Sequence, residues 1–426
     1  MVSNSVANCL PKELAERILS SPRMVRNKNR QQLASAIKRF HVLSGRYDEG
    51  TEREIQKLVD GCHIVRLAHQ PNFMPYDNLI LQMRYLQLTK NAIELQGECA
   101  VIVVFFVDHD IGSNRRFQES IFFDPSSSVM FRPVRLPNIA KHRMIVDQPV
   151  PNQLFTDFLT HLYDRLTRSE AVKRVQSQGR IHTISTNRPQ ASLTHYTGFD
   201  WMSLATDFGV APNLLFLSLA DLHHHLKPFY VSIALEIGEN HSGELNLWVI
   251  CAACRGRKSV QHGSIGFRMR CTHCSSVSVT SSLMDPDWRV LPRVMVDNLS
   301  DYQALDVSGG TAYGAASVHI EQSLLVASQH GMLTGNEVAW RSDVLHAGTA
   351  GLKAFSRETH EKPSTYEKLA LTTGRMGMWY YLSYPFELDD LIHEFDSSIY
   401  AGEVPERICV GKANQKVSRW LGESAE

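Results

Sequence analysis

The chain of 426 residues is 43% hydrophobic and 21% charged, an ordinary globular composition that excludes a fibrous or a wholly disordered protein. Its 44 Lys and Arg residues equal its 44 Asp and Glu residues, so net charge provides no general attraction to nucleic acid or to an anionic membrane. No stretch approaches the roughly 20 apolar residues of a membrane span. The amino terminus also lacks a secretion signal, so we expect a cytoplasmic protein with no membrane partner.

The first predicted elements are helices. Residues 1–60 have helical apolar spacing, and Thr51 and Glu54 stand in the positions of a capping box at the start of the third helix. "CHIVRLA" follows as a β-rich run that gives way at His69 to a turn, and "YDNLILQMRYLQLTKNA" then has the spacing of a helix. This order predicts a strand, a loop and a helix.

A second strand is predicted at "CAVIVVFFV". The run shows no alternation, as expected of a strand that is covered on both faces of a parallel sheet, and it ends in "DHD" at 108–110. Polar residues at the carboxyl ends of parallel strands form the ligand sites of α/β sheets. The loops 69–76 and 108–114 should therefore open on the same edge.

Later elements are less regular. We predict helices near 152–176 and 214–226, and a hairpin made of "FYVSIALEI" and "ELNLWVI" that leads into a cysteine-rich ribbon. After the ribbon come a strand at "YQALDVSGG" and a helix that begins near Thr311. The last hundred residues have the patterns of helices.

The cysteines divide into two groups. Cys251, Cys254, Cys271 and Cys274 form two Cys-x-x-Cys pairs, the spacing of a structural zinc site with four thiolate ligands and no open position. In a reducing compartment such pairs are metal ligands rather than disulfides. The scattered Cys9, Cys62, Cys99 and Cys409 are predicted to be small apolar core residues.

The ribbon is also basic. It carries Arg255, Arg257, Lys258, Arg268 and Arg270. These residues either contact a nucleic-acid backbone or form a solvated loop that offsets the charge of the zinc thiolates. We favour the second interpretation, in which the ribbon is a brace.

The turn after the first strand has the geometry of an anion site. His69 and Asn72 lie three residues apart in a turn that opens a helix, so both side chains can face a phosphate near the positive helix end. By spacing, this pair resembles the HIGH motif of class I aminoacyl-tRNA synthetases. "HQPNFMPY" is also similar to the opening of WbqC-like proteins.

Three further stretches carry a resemblance. "VVFFVDHD" followed by "SNRRFQ" resembles the end of a core strand in the bacillithiol-biosynthesis cysteine-adding enzyme, and "ALDVSGGTAY" resembles that family's Gly-Gly/Ala-Tyr segment. The ribbon followed by "DWRVLPRV" is similar to the zinc-bearing region of class I lysyl-tRNA synthetases. Together these stretches cover residues 60–125 and 245–330.

The resemblance implies an α/β fold with a Rossmann-like parallel sheet of the class I synthetase (HUP) type. It would comprise an N-terminal helical segment (1–60), the first half of the nucleotide-binding domain (61–150), an insertion (151–285) that includes the zinc ribbon (248–278), the second half (286–335) and a helical C-terminal segment (336–426).

The resemblance also assigns roles to residues. It implies that the turn at His69, Gln70 and Asn72 faces the phosphates of ATP, bound with Mg²⁺, and that Asp108, His109 and Asp110 line an adjacent catalytic pocket. Gly309, Gly310 and Tyr313 would close the side where adenosine or the aminoacyl group lies. Pro71 replaces the glycine of the synthetase motif and no convincing KMSKS loop follows, so we do not expect a tRNA synthetase.

We therefore predict an ATP-dependent ligase. It would activate an amino acid, with cysteine as one candidate, as an adenylate and transfer it to the amine of a small-molecule acceptor. The polar groups at 108–110 would hold the ammonium group of the amino acid or act as general base. Two alternatives stay open, an inactive synthetase-like protein that binds RNA through the basic ribbon and a WbqC-like enzyme that modifies glycans.

Overall fold

The computed structural model describes residues 10–20, 28–69, 71–73, 77–106, 108, 118–123, 131–167, 189–207, 210–239, 242–292 and 385–403. Within these ranges the chain forms a three-stranded parallel sheet, a five-stranded antiparallel sheet and a two-stranded hairpin, with helices around them. The predicted α/β class and its parallel sheet are confirmed. None of the helices in this part of the chain combines the length and the apolar character that a membrane crossing requires.

The N-terminal segment is helical, as predicted. It contains α1 (Pro11–Leu19), α2 (Lys28–Leu43) and α3 (Glu49–Val59). The predicted cap of α3 is wrong, because the carboxylate of Asp48 accepts a hydrogen bond from the backbone N–H of Thr51 at 2.7 Å. Asp is as good an N-cap as Thr, so the helix begins earlier than the Thr51 pattern indicated.

The predicted strand, helix and strand are confirmed as β1 (His63–His69), α4 (Asp77–Glu94) and β2 (Ala100–Phe106). Every residue of β2 is buried, and the strand runs parallel to β1 from His63 opposite Ala100 to His69 opposite Phe106. The two strands therefore end at the same edge of the sheet.

A buried ion pair joins α3 to the helix of this unit, α4. The ammonium group of Lys90 in α4 lies 2.8 Å from a carboxylate oxygen of Glu54 in α3, and both side chains are at most 6% exposed. Lys57 reaches the other oxygen of Glu54 at 2.6 Å. Glu54, predicted as part of a cap, therefore fixes α3 against α4.

Two of the scattered cysteines form a disulfide, so the prediction that they are separate apolar core residues is wrong. Cys62 immediately precedes β1, Cys99 immediately precedes β2, and the two are bonded. Neighbouring strands lie about 4.8 Å apart, and the Cα atoms of this pair are 4.9 Å apart. Cys9 and Cys409 lie outside the described residues.

The chain after β2 forms a hairpin, two helices and then the third parallel strand with its helix. These elements are β3 (Glu119–Phe123), β4 (Phe131–Arg135), α5 (Gln153–Thr167), α6 (Leu193–Asp207), β5 (Leu215–Ser218) and α7 (Leu219–Ile237). β5 pairs in parallel with β2, so the sheet order is β1-β2-β5. The sheet thus takes a strand from inside 151–285, which was predicted to be an insertion. The other domain boundaries stay predictions.

The predictions for β5 and α7 are wrong in two respects. The range 214–226 was predicted as helix, but it begins with a strand. "FYVSIALEI" was predicted as a strand, but it belongs to α7, which continues through Pro228. Periodicity does not distinguish a short apolar strand from a buried helix segment, and packing decided both cases.

The five-stranded sheet contains the cysteine ribbon. Its strands are β6 (Leu247–Ile250), β7 (Arg257–Gly263), β8 (Gly266–Cys271), β9 (Val277–Thr280) and β10 (Val290–Pro292), in the order β10-β6-β7-β8-β9. Val249, Val260 and Met269 are buried in the main hydrophobic core. Lys227 of α7 donates hydrogen bonds to the carbonyl oxygens of Asp285 and Trp288, at 2.7 and 3.0 Å, and so ties the ribbon to that helix.

The described part of the C-terminal segment is a single helix, α8 (Pro385–Tyr400). Its Asp396 accepts hydrogen bonds from the guanidinium group of Arg84 in α4, with Nε 2.9 Å from Oδ1. The helix is therefore attached to the outer side of the β1-α4-β2 unit.

His41 links α2 to β5 in a way that requires a neutral ring. Its Nε2 accepts the backbone N–H of Phe216 at 2.9 Å, and its Nδ1 donates to the carbonyl oxygen of Arg46 at 3.1 Å. Burial lowers the pKa of His41 to about 4. Because the unfolded state binds the proton more readily, this residue stabilises the fold above about pH 6.5, and the contribution is lost as the pH falls towards 4.

We expect the His41→Gln variant, whose neutral amide oxygen can still accept the Phe216 N–H, to be less sensitive to acid. Between pH 7 and pH 4.5 its free energy of unfolding should fall by about 2 to 3 kcal/mol less than that of the wild type. Urea unfolding at the two pH values measures this difference. The exposed His161→Gln variant is the control, and equal acid sensitivity in all three proteins would contradict the assignment.

Candidate functional site

The carboxyl edge of the parallel sheet brings together polar side chains from four elements. His69 ends β1, Asp108 follows β2 by two residues, and Ser218 ends β5. The start of α6 meets them through Thr194, whose hydroxyl lies 2.9 Å from Asp108. This is the edge at which the sequence predicted a ligand site.

Asp108 is fully enclosed at this edge. One carboxylate oxygen accepts hydrogen bonds from the hydroxyls of Thr194 and Ser218, and the other accepts the backbone N–H of Ala220 at 3.0 Å. Burial raises the pKa of Asp108 to about 6, and the three donors partly offset this effect. Asp108 therefore joins the end of β2 to the amino ends of α6 and α7.

A second carboxyl group, Asp221, lies in the first turn of α7. Burial raises its pKa, and the positive charges of Arg39 and Arg289 oppose that shift. One of its oxygens is buried and has no hydrogen-bond partner among the described residues. Its charge also raises the pKa of Asp108, so the two carboxyl groups disfavour simultaneous ionisation.

His195 in the first turn of α6 was not predicted from the sequence. Ser192 accepts the backbone N–H of His195 at 3.3 Å and lies 2.6 Å from its Nδ1. The Ser192 hydroxyl thus bonds both the backbone and the ring of His195, and the other ring nitrogen is Nε2. That nitrogen is buried without a partner among the described residues, and burial lowers the pKa of His195 to about 4.

His69 and Asn72 are brought together by a residue that the sequence did not indicate, Trp201 of α6. The indole N–H of Trp201 donates to the backbone oxygen of Asn72 at 2.9 Å, and its ring lies 5.6 Å from the ring of His69. His69 is partly exposed, whereas Asn72 is 2% exposed. The side-chain oxygen of Asn72 is buried and has no hydrogen-bond partner within the described ranges.

Several predicted site residues cannot be placed in this arrangement. Gln70, His109, Asp110, Gly309, Gly310 and Tyr313 lie outside the described residues. The structure thus brings His69, Asn72 and Asp108 to one edge of the sheet. The roles of all nine residues stay predictions.

The four ribbon cysteines form a second candidate site. The sulfur atoms of Cys251, Cys254, Cys271 and Cys274 all lie within 4.8 Å of one another, a cluster that is able to hold a metal ion. The turn that follows β6 supplies the first pair, and the turn between β8 and β9 supplies the second. The predicted metal-ligand set is therefore brought together at one point.

The two turns have matching geometry. Arg255 and Ser275, each directly after the second cysteine of a pair, have positive φ angles of 60° and 59°. Backbone N–H groups point at the sulfur atoms, as from Gly256 to Cys254 at 3.4 Å and from His273 to Cys271 at 3.4 Å. The Ser276 hydroxyl lowers the pKa of Cys274, whereas burial raises the pKa of Cys254 to about 12. The N–H and hydroxyl donors favour the thiolate form that a metal requires, and burial opposes it at Cys254.

A strap of residues 140–148 connects the cysteine cluster to the sheet edge. At one end, His142 lies 3.1 Å from the carbonyl oxygen of Cys254 and stacks on His273 with ring centroids 3.6 Å apart. At the other end, the N–H of Val146 donates to the backbone oxygen of Asp108 at 3.0 Å. The strap therefore touches both candidate sites.

The strap is also fixed along its length. Met144 packs with Ile250 of β6 and Leu291 of β10. Asp147 accepts hydrogen bonds from Arg289 at 2.7 and 3.0 Å, and the backbone oxygen of Arg289 accepts from Ile250. These contacts connect the ribbon, through the strap, to Asp108 at the sheet edge.

Comparison of the sequence with models of known protein families finds no match, and comparison with curated proteins finds none either. Fold and site alone therefore define the class, an α/β protein with a polar sheet edge and a cluster of four cysteines that is able to hold a metal ion. The resemblances described above stay interpretations of short motifs.

The hydrogen bonds of Asp108 lead to a paired prediction. Asp108→Ala should lower the free energy of unfolding by roughly 2 to 3 kcal/mol, because buried donors lose their acceptor. Asp108→Asn should restore most of that stability, since its amide can accept from Ala220 while the two hydroxyls reorient. Thermal and urea unfolding measure both variants, and an Asn variant no more stable than the Ala variant would contradict a role based on these hydrogen bonds.

Proposed function

We propose that the carboxyl edge of the β1-β2-β5 sheet is the site of an ATP-dependent ligase that activates an amino acid. The observation that carries the proposal is the turn after β1, where the partly exposed imidazole of His69 stands at the carboxyl edge of the sheet, ahead of the amino end of α4. A strand end followed by a helix start is a general anion site in parallel sheets. The sheet order also suits a Rossmann-like fold of the class I synthetase type.

The roles proposed for the site residues differ from one another. His69 would bind the phosphates of ATP and stabilise charge as the adenylate forms. The unpartnered side-chain oxygen of Asn72 is a hydrogen-bond acceptor, so it would bind a donor group of the substrate, such as the ammonium group of the amino acid, rather than a phosphate. Asp108 is a positioning residue, because both of its oxygens are engaged by the protein. An adenylate of an amino acid, with cysteine as a candidate, would then react with the amine of a small-molecule acceptor, and ATP would enter with Mg²⁺.

The metal proposed for the four-cysteine cluster is structural zinc. Four thiolates at mutual distances within 4.8 Å suit the tetrahedral coordination of Zn²⁺, and such a closed site supplies order rather than catalysis. Cys251, Cys254, Cys271 and Cys274 would hold the ion. A ribbon held in place by zinc would hold the strap in place, and the strap would in turn position Asp108 through the hydrogen bond from Val146.

The test is exchange of labelled pyrophosphate into ATP, screened with each of the twenty amino acids and with candidate amines added. We expect exchange with one amino acid and a loss of roughly 10²- to 10³-fold in His69→Ala, the range seen when one charge-stabilising donor is removed. His161→Ala, an exposed histidine on α5, is the matched control. Exchange that persists undiminished in His69→Ala, or its absence with every amino acid and amine, would refute the proposal.

A further inference from the structure

The ribbon concentrates positive charge that the proposed reaction does not use. Residues 247–284 contain five Arg and Lys residues and no Asp or Glu, in a chain whose total positive and negative charges are equal. A zinc ion with four thiolates carries a charge of −2, which part of this set can offset. The exposure and contacts of the five residues show which of them are free of the cluster and face solvent.

Two of the five residues are buried or half-buried, and as neighbours on β7 they project to opposite faces of the sheet. Lys258 is 3% exposed, lies directly opposite Cys271 in the β7–β8 pairing, and donates to the Ser278 hydroxyl. Arg257 is half-buried beside the same turn. These two residues are close enough in the sheet to balance the charge of the thiolates.

The other three, Arg255, Arg268 and Arg270, are exposed. Within the part of the chain that the structure describes, none of them forms an ion pair. Exposed arginines usually have acidic neighbours on a surface of mixed charge, but this ribbon offers none. Their charge is therefore available to a partner.

Strand pairing places two of these arginines on one face. Arg268 lies between Gln261 and Val279, and Arg270 lies between Ser259 and Val277. Directly paired residues of an antiparallel sheet project to the same side. We call this surface, formed by Gln261, Arg268, Arg270, Val277 and Val279, the ribbon face.

The ribbon face is the open half of its side of the sheet. The other half, at β6 and β10, is covered by Met144 and Val146 of the strap. Val277 and Val279 are 49% and 58% exposed, so the open half mixes cationic, amide and apolar groups. Arg255, in the adjoining turn, adds exposed positive charge at the metal end.

We propose that the ribbon face binds nucleic acid through its phosphodiester backbone. Arginines at alternate positions of one strand are about 7 Å apart and can contact separate phosphates. The valine and glutamine side chains suit contact with sugars and bases. An acidic protein partner would not present such groups. This inference goes beyond the ligase proposal and does not depend on it.

The experiment measures binding of labelled 20-nucleotide RNA and DNA strands, single and double, to zinc-loaded protein by fluorescence anisotropy over 50 to 200 mM salt. We expect binding that weakens with salt. Replacing Arg255, Arg268 and Arg270 together by Gln should weaken binding at least tenfold and reduce the log–log salt slope by roughly 2 to 3, at about 0.7 to 0.9 for each phosphate contact. The strand types show which nucleic acid is preferred.

A matched control removes the same charge elsewhere, with Lys12, Lys38 and Arg53 replaced by Gln on the N-terminal helices. This variant should bind as the wild type does. The zinc content of each purified variant is measured to confirm that its ribbon is folded. Unchanged binding in the arginine variant, or no binding of any strand at 50 mM salt, overturns the proposal, and binding of polyglutamate alone would point instead to an acidic protein.

Discussion

Removal of the metal from the four-cysteine cluster is expected to unfold the ribbon and to loosen the edge of the parallel sheet. Structural zinc contributes on the order of 10 kcal/mol to the folding of small zinc domains. In this chain the ribbon also supports the strap. Met144 of the strap packs against Ile250 and Leu291, and Asp147 forms an ion pair with Arg289. The loosening caused by loss of the metal should therefore extend to Asp108, which accepts a hydrogen bond from Val146 of the strap.

Limited proteolysis with mass spectrometry measures this effect. The Cys271→Ser variant, or the wild type treated with a chelator, should be cleaved within 251–276 and within the strap under conditions that leave the zinc-loaded protein intact. Cys409→Ser, which changes a cysteine outside the ribbon, is the control. Equal resistance of the zinc-loaded and zinc-free proteins would show that the cluster is not a structural metal site.

Breaking the Cys62–Cys99 disulfide should produce the second large loss of stability. The bond closes a segment that holds β1, α4 and most of the connection to β2, with a sequence separation of 37. For a loop of that length, the loss of chain entropy in the unfolded state corresponds to about 4 kcal/mol. The bond lies at the amino ends of the strands, opposite the candidate site, so the effect should fall on stability rather than on ligand contacts.

The double variant Cys62→Ser with Cys99→Ser tests this prediction. Its free energy of unfolding in urea should match that of the reduced wild type and should not change when a thiol reductant is added. Peptide mapping under oxidising conditions should recover the linked pair from the wild type. Equal stability of the oxidised and reduced wild type would contradict a stabilising disulfide.

The parts of the fold that were predicted correctly have strong local patterns. β2 is an unbroken apolar run that is buried on both faces, and α4 follows β1 with regular apolar spacing. The cysteine cluster was predicted because two Cys-x-x-Cys turns have few structural uses. The edge with His69 and Asp108 followed from these elements, since parallel strands end together.

The parts that were missed depend on contacts distant in sequence. β5 has four residues and is a strand only because it pairs with β2, and α7 continues through Pro228. Trp201 and His195 acquire their roles only when α6 is placed against the turn after β1. The disulfide did leave a signal, because Cys62 and Cys99 each precede a strand of the same predicted parallel pair.

The central claim, that the carboxyl edge of the parallel sheet binds the nucleotide, is tested most directly by hydrogen–deuterium exchange of the zinc-loaded protein with and without Mg²⁺-ATP. The account predicts slower exchange in peptides that contain His69 and Asn72 and in the first turn of α6, with little change in β7 to β9. This protection should be lost in His69→Ala, which would show that it depends on the His69 side chain. Protection confined to the ribbon, or none at saturating ATP, would contradict the claim.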